Sequence, residues 1–203
     1  MKKHTIVGLS LAMAVFAGQQ AQAAAGDPAA GKAKSESCAS CHGEDGNASA
    51  PIFPKLAGQH ASYLGKQLRE FRSQKRVDQT VMNAMAESLS DADIADISAW
   101  FSQQKINPEP AEKNVHGEKI YRSGIAAKAI PACAACHGPR GEGNPTSVYP
   151  ALGGQYSSYA AKALHDYKSG ERNSDPNEIM RGIAGRLSDE EIDSVADYVS
   201  GLR

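Results

Sequence analysis

The chain has 203 residues, ample for two domains of ordinary size. Its 22 Lys+Arg against 23 Asp+Glu exclude a polybasic nucleic-acid binder and an acidic disordered tail alike. One Trp, four Phe and seven Tyr make only 6% of the residues, so a second body must help fill the core.

Lys2 and Lys3 precede a short apolar run from Ile6 to Ala17, and Ala21-Gln22-Ala23 places small residues where a signal peptidase cuts. The run falls short of the ~20 apolar residues a membrane-spanning helix needs. Residues 1–23 therefore read as a cleavable signal peptide. Cleavage leaves 20 basic against 23 acidic residues and predicts a periplasmic product, soluble or peripherally associated with the membrane.

The rest of the chain is a duplication, divided here into residues 24–106 and 107–203. Asp27 followed by Pro28 opens the first helix, and Asn114 opens its counterpart. Cys38-Ala39-Ser40-Cys41-His42-Gly43 recurs as Cys133-Ala134-Ala135-Cys136-His137-Gly138. The loop Pro54-Lys55-Leu56-Ala57-Gly58-Gln59 recurs as Pro150-Ala151-Leu152-Gly153-Gly154-Gln155. Tyr63, Leu68, Phe71 and Arg76 match Tyr159, Leu164, Tyr167 and Arg172.

Middle helices are predicted on the stripes Leu64, Leu68, Phe71 and Ala160, Leu164, Tyr167. Last helices open at Ser90 and Ser188, whose capping partners are Asp93 and Glu191. They carry Ile94, Ile97, Phe101 and Ile192, Val195, Val199 inward. Asn107-Pro108-Glu109-Pro110 reads as the linker. With no alternating strand, the class is all-α, three helices to a half. So little helix needs a large flat apolar body in each half.

The four cysteines suggest that body. Disulfides, a four-thiolate zinc site or redox dithiols would each use them. None of these accounts for a histidine after the second cysteine in both copies. Covalent haem attachment does: Cys38, Cys41 and His42 share one helical face, as do Cys133, Cys136 and His137. Two thiols at that spacing bond the vinyl groups of one haem, and the imidazole beside them reaches the iron. One haem c is predicted in each half.

A carrier haem takes a second ligand, and methionine raises its potential. Met82 and Met180 each lie eight residues before a helix-opening serine, at Ser90 and Ser188. They are the predicted distal ligands. Met85 aligns with Ile183 and reads as packing; His60, His116 and His165 have no histidine counterparts and read as surface or packing residues. Pro54 and Pro150 follow the haem histidines by 12 and 13 residues, and their carbonyls are candidate acceptors for the imidazole Nδ1–H.

This pattern resembles the di-haem cytochrome c4 family, two class I cytochrome c units in tandem, over nearly the whole mature chain. The resemblance implies two helical domains facing each other across a pseudo-twofold axis with their haems close together. It implies His/Met ligation and periplasmic electron transport, with a quinol-oxidising cytochrome complex as donor and a terminal oxidase as acceptor. Neither half carries a strong charge bias: 9 basic and 10 acidic residues lie in 24–106, and 11 and 13 in 107–203. The rival readings are the electron-transfer subunit of a periplasmic dehydrogenase, such as a sulfide-oxidising flavocytochrome, and a di-haem peroxidase or gas-binding protein. The last two require an open distal position at iron.

Overall fold

The computed structural model describes residues 26–77 and 81–202. The predicted signal peptide lies outside the described residues. Within them the fold is helical, with two isolated β-bridges, Ile125–Ile130 and Asn144–Tyr149, and no strand. No described helix is long and apolar enough to cross a membrane.

The first half contains α1 (Pro28–Lys34), α2 (Glu36–His42), α3 (Ala61–Arg72), α4 (Met82–Glu87) and α5 (Asp91–Ser102). The second contains α6 (Val115–Ser123), α7 (Ala134–His137), α8 (Ser157–Ser169), α9 (Ile179–Ala184) and α10 (Asp189–Ser200). The predicted caps are present. Asp27 accepts from the Ala29 amide and Asn114 from that of Gly117. Ser90 with Asp93, and Ser188 with Glu191, form complete capping boxes.

In each half the last helix is the hub: α1 and α3 pack on α5, while α6 and α8 pack on α10. Leu64, Ile97 and Phe101 form the first core. The second is larger and includes Ile120, Tyr121, Ile130, Ile192, Val195 and Val199.

The structure departs from the three-helix expectation by adding α2 and α4 to one half and α7 and α9 to the other. These pieces of four to seven residues span two turns or fewer, too short for an apolar period to accumulate. Met85 also departs from its expected packing role, being 39% exposed. Helix α4 buries only Ala86, whereas Ile183 on α9 packs against the second core.

The two halves meet along a seam that repeats itself. Gln155 Oε1 accepts from the Lys55 amide and its Nε2 donates to the Lys55 carbonyl, both at 2.9 Å. Gln59 does the same to Ala151, at 3.0 and 2.9 Å. Glutamine and backbone partner are repeat equivalents in both cases, so the seam is pseudo-twofold. The connecting segment 105–114 has no regular secondary structure but is tied down: Asn47 bonds Lys105 and Asn107, and Lys55 pairs with Glu109 at 3.0 Å.

Candidate haem-binding site

Helix α2 ends on His42 and α7 on His137, each followed by a glycine at positive φ that turns the chain sharply away. That turn leaves both imidazoles buried, at 6% and 8% exposure. His42 Nδ1–H donates to the Pro54 carbonyl at 2.9 Å, and His137 Nδ1–H to that of Pro150 at 3.0 Å. A carbonyl can only accept, so the proton sits on Nδ1 and the Nε2 lone pair is left for a metal. Burial lowers the pKa of both rings, against the opposing pull of the proline carbonyls, and keeps them neutral. The rings of Phe53 and Tyr149 flank them at 6.0 and 6.2 Å.

Cys38, Cys41, Cys133 and Cys136 form no disulfide. Burial pushes the Cys38 thiol up and that of Cys133 up to about 11, so both are protonated thiols at neutral pH. All four line one continuous cavity of about 830 Å³ that runs through both halves. His42, His137, Met82 and Met180 line it too. Met82 opens α4 and Met180 lies in the first turn of α9, both half-buried. Asn177 and Glu178, just before α9, hold φ of 55° and 56°, a left-handed pair that side chains other than glycine rarely adopt.

The walls fit haem in chemistry. Leu64, Leu68, Ile97 and Leu164 supply apolar faces, and the neutral imidazoles present lone pairs of the kind iron binds. Two arginines stand at the seam. Arg172, 4% exposed, donates to Tyr63 Oη at 2.6 Å and Gln67 Oε1 at 2.8 Å, but its Nε–H is buried without a partner. Arg76 donates to the same Gln67 oxygen at 2.6 Å and to Tyr159 Oη at 3.4 Å. Among the described residues neither guanidinium has a carboxylate within 4 Å; Glu70 and Asp175 nearby pair with Lys66 and Arg181 instead. A buried cation with a spare donor, as at Arg172, suits the carboxylates that haem carries.

Several contributors escaped the sequence reading. Gln59, Gln155, Arg76 and Arg172 recur in the repeat, yet nothing local says that they reach across to the other half. The recurrence of the same polar residue at a fixed offset was the available signal. His60, read as surface or packing, also crosses the seam and bonds the Glu142 carbonyl through Nε2 at 2.8 Å. His116 is exposed, and His165 lies 3.8 Å from Asp189.

Comparison with known proteins agrees with this geometry. The sequence model of the cytochrome c family matches residues 28–105 and again 115–203. Cytochrome c4 of Pseudomonas aeruginosa is 46% identical, over 88% of this chain and 90% of its own length. The crystal structure of reduced recombinant cytochrome c4 from Pseudomonas stutzeri superposes with a TM-score of 0.85 at 41% identity, covering 88% of this chain and all of that one. A thiosulfate dehydrogenase electron acceptor of Stutzerimonas stutzeri is 37% identical, over 81% of this chain and 78% of its own. Two fused cytochrome c domains, each contributing the cysteines of a Cys-x-x-Cys-His unit to the lining of a shared cavity, place this chain in the cytochrome c4 family of di-haem electron carriers.

Proposed function

We propose that this protein shuttles electrons in the periplasm between a membrane quinol-oxidising complex and a terminal oxidase. Residues 1–23 serve as its signal peptide, and the two domains divide near residues 106 and 107. Haem supplies a one-electron Fe(III)/Fe(II) couple when bound. His42 and Met82 would hold its iron in the first half, His137 and Met180 in the second. Cys38, Cys41, Cys133 and Cys136 anchor the two haems covalently, and the Pro54 and Pro150 carbonyls fix the ring planes of the histidines.

The observation that carries this reading is the cavity wall: both histidines and both methionines line it, and the methionines lie in the first turns of equivalent short helices. Ligands kept in both oxidation states keep reorganisation small, which suits a carrier and disfavours chemistry at iron. Met82→Ala and Met180→Ala should each abolish the near-infrared methionine–iron band of one haem and lower its potential by at least about 59 mV, tenfold in the one-electron equilibrium. Loss of that band in Met85→Leu instead would overturn the ligand assignment. Rapid carbon monoxide binding by the reduced native protein would overturn the carrier reading.

A second reading has the relative named as a thiosulfate dehydrogenase electron acceptor in its favour. In it the donor is a periplasmic dehydrogenase. Stopped-flow reduction by each purified donor separates the two: the physiological donor reduces the protein faster than the other and with saturation.

A further inference from the structure

The bonds to the histidines and the bonds across the seam share peptide groups. The Pro54 carbonyl, which accepts from His42 Nδ1–H, and the Lys55 N–H, which donates to Gln155 Oε1, belong to one peptide unit. The Pro150 carbonyl, which accepts from His137 Nδ1–H, and the Ala151 N–H, which donates to Gln59 Oε1, belong to another. Each proximal histidine is therefore two hydrogen bonds and one peptide away from a glutamine of the opposite half.

We propose that Gln155 and Gln59 are positioning residues that tune the iron of the other domain through these shared peptides. An amide whose N–H is donated is polarised, and its carbonyl oxygen becomes a better acceptor; hydrogen bonds in such chains strengthen one another by roughly 10–30% each. A stronger acceptor draws the Nδ1 proton outward and makes the imidazole a stronger electron donor to iron, which favours the oxidised state. The tuning is crossed: the glutamine of the second half sets the first haem, and that of the first half sets the second.

Both glutamines are held for this task. Gln155 is 9% exposed and Gln59 8%. Each has its Nε2 fixed by the carbonyl of the residue it serves, and its Oε1 also accepts from the next residue in its own chain, Tyr156 or His60, at 3.1 and 3.0 Å. The amide orientation is thus determined by donors and acceptors on every side.

The inference rests on His42 and His137 being the iron ligands, and its test separates the two. Gln155→Met keeps length and apolar volume but removes the acceptor. It should raise the potential of the first-half haem about threefold in its reduction equilibrium, roughly 28 mV at 59 mV per tenfold, and leave the second unmoved. Gln59→Met should do the converse. Potentials are read by spectroelectrochemistry, with each haem assigned by NMR, and haem content and the near-infrared bands are measured alongside. Two haems and intact bands with a shift confined to the variant's own half, or equal in both halves, or absent, would overturn the crossed tuning while sparing the ligand assignment. Amide exchange in the unaltered protein gives a second check independent of any substitution: the Lys55 and Ala151 amides should exchange as slowly as those of α5 and α10, and exchange at loop rates would overturn the relay.

Discussion

Tyr121, wholly buried, donates its hydroxyl to the Gly138 carbonyl at 2.7 Å and so ties α6 to the residue that follows His137. Burial raises the pKa of the phenol, which stays a protonated donor at any working pH. Tyr121→Phe keeps the ring against Tyr198 but removes one of the two bonds that carbonyl accepts, the Gly141 amide remaining at 3.2 Å, and should cost about 1 kcal/mol, read as a lower urea midpoint at unchanged slope. The first half has Ser35 at the matching position, where its hydroxyl donates to the Lys32 carbonyl of α1, the helix it caps. That asymmetry explains what the sequence could and could not tell. His42, His137, Pro54 and Pro150 were legible because attachment motif and acceptor proline recur together. Tyr121 was not, since its counterpart shares neither size nor chemistry and its partner lies 17 residues away.

Helix placement was legible for a related reason: the caps of α1, α5, α6 and α10 are local chemistry within three residues of each helix start. How those helices cross was not. Gly31 on α1 and Gly117 on α6 sit where a Cβ would come 2.0 Å from a backbone oxygen of the last helix, Asp96 in one half and Ser194 in the other. Four residues further on, the side chains of Trp100 and Tyr198 close the same contact. A glycine inside a helical pattern in both copies was the hint, but only the packed pair reveals its purpose. Gly117→Ala gains up to ~1 kcal/mol of helix propensity and loses ~1–3 kcal/mol or more to overpacking. A net loss of about 2 kcal/mol is expected. Gly182 on α9 has nothing within 4 Å of its would-be Cβ, so Gly182→Ala should stabilise by about 0.5–1 kcal/mol. Thermal unfolding of the two variants against the parent checks both signs together.

At the scale of the whole molecule the seam decides whether the halves behave as one body or two. Domain pairs held by modest polar interfaces move and unfold independently by default. Here the glutamine bonds are joined by the arginine pair, of which Arg172 carries the larger share: it is buried, reaches Tyr63 and Gln67 of the first half, and lies 4.6 Å over the ring of Tyr167 in its own. Arg76 makes the mirrored contacts, over Phe71 at 4.5 Å and to Tyr159, but is half-exposed and its tyrosine bond is long. Bonds from a charged donor contribute about 1.5–3 kcal/mol each when buried and little when solvated. Arg172→Gln should therefore remove about 3 kcal/mol from the coupling between halves, and Arg76→Gln about 1 kcal/mol. Trp100 is the single tryptophan and belongs to the first half, so its fluorescence follows that half alone, while far-ultraviolet dichroism follows both. The two probes should trace one coincident denaturant transition in the parent and in Arg76→Gln, and separate in Arg172→Gln. Coincident transitions in Arg172→Gln would mean that the remaining seam bonds, the glutamine pairs and His60 to Glu142 among them, suffice to hold the halves together.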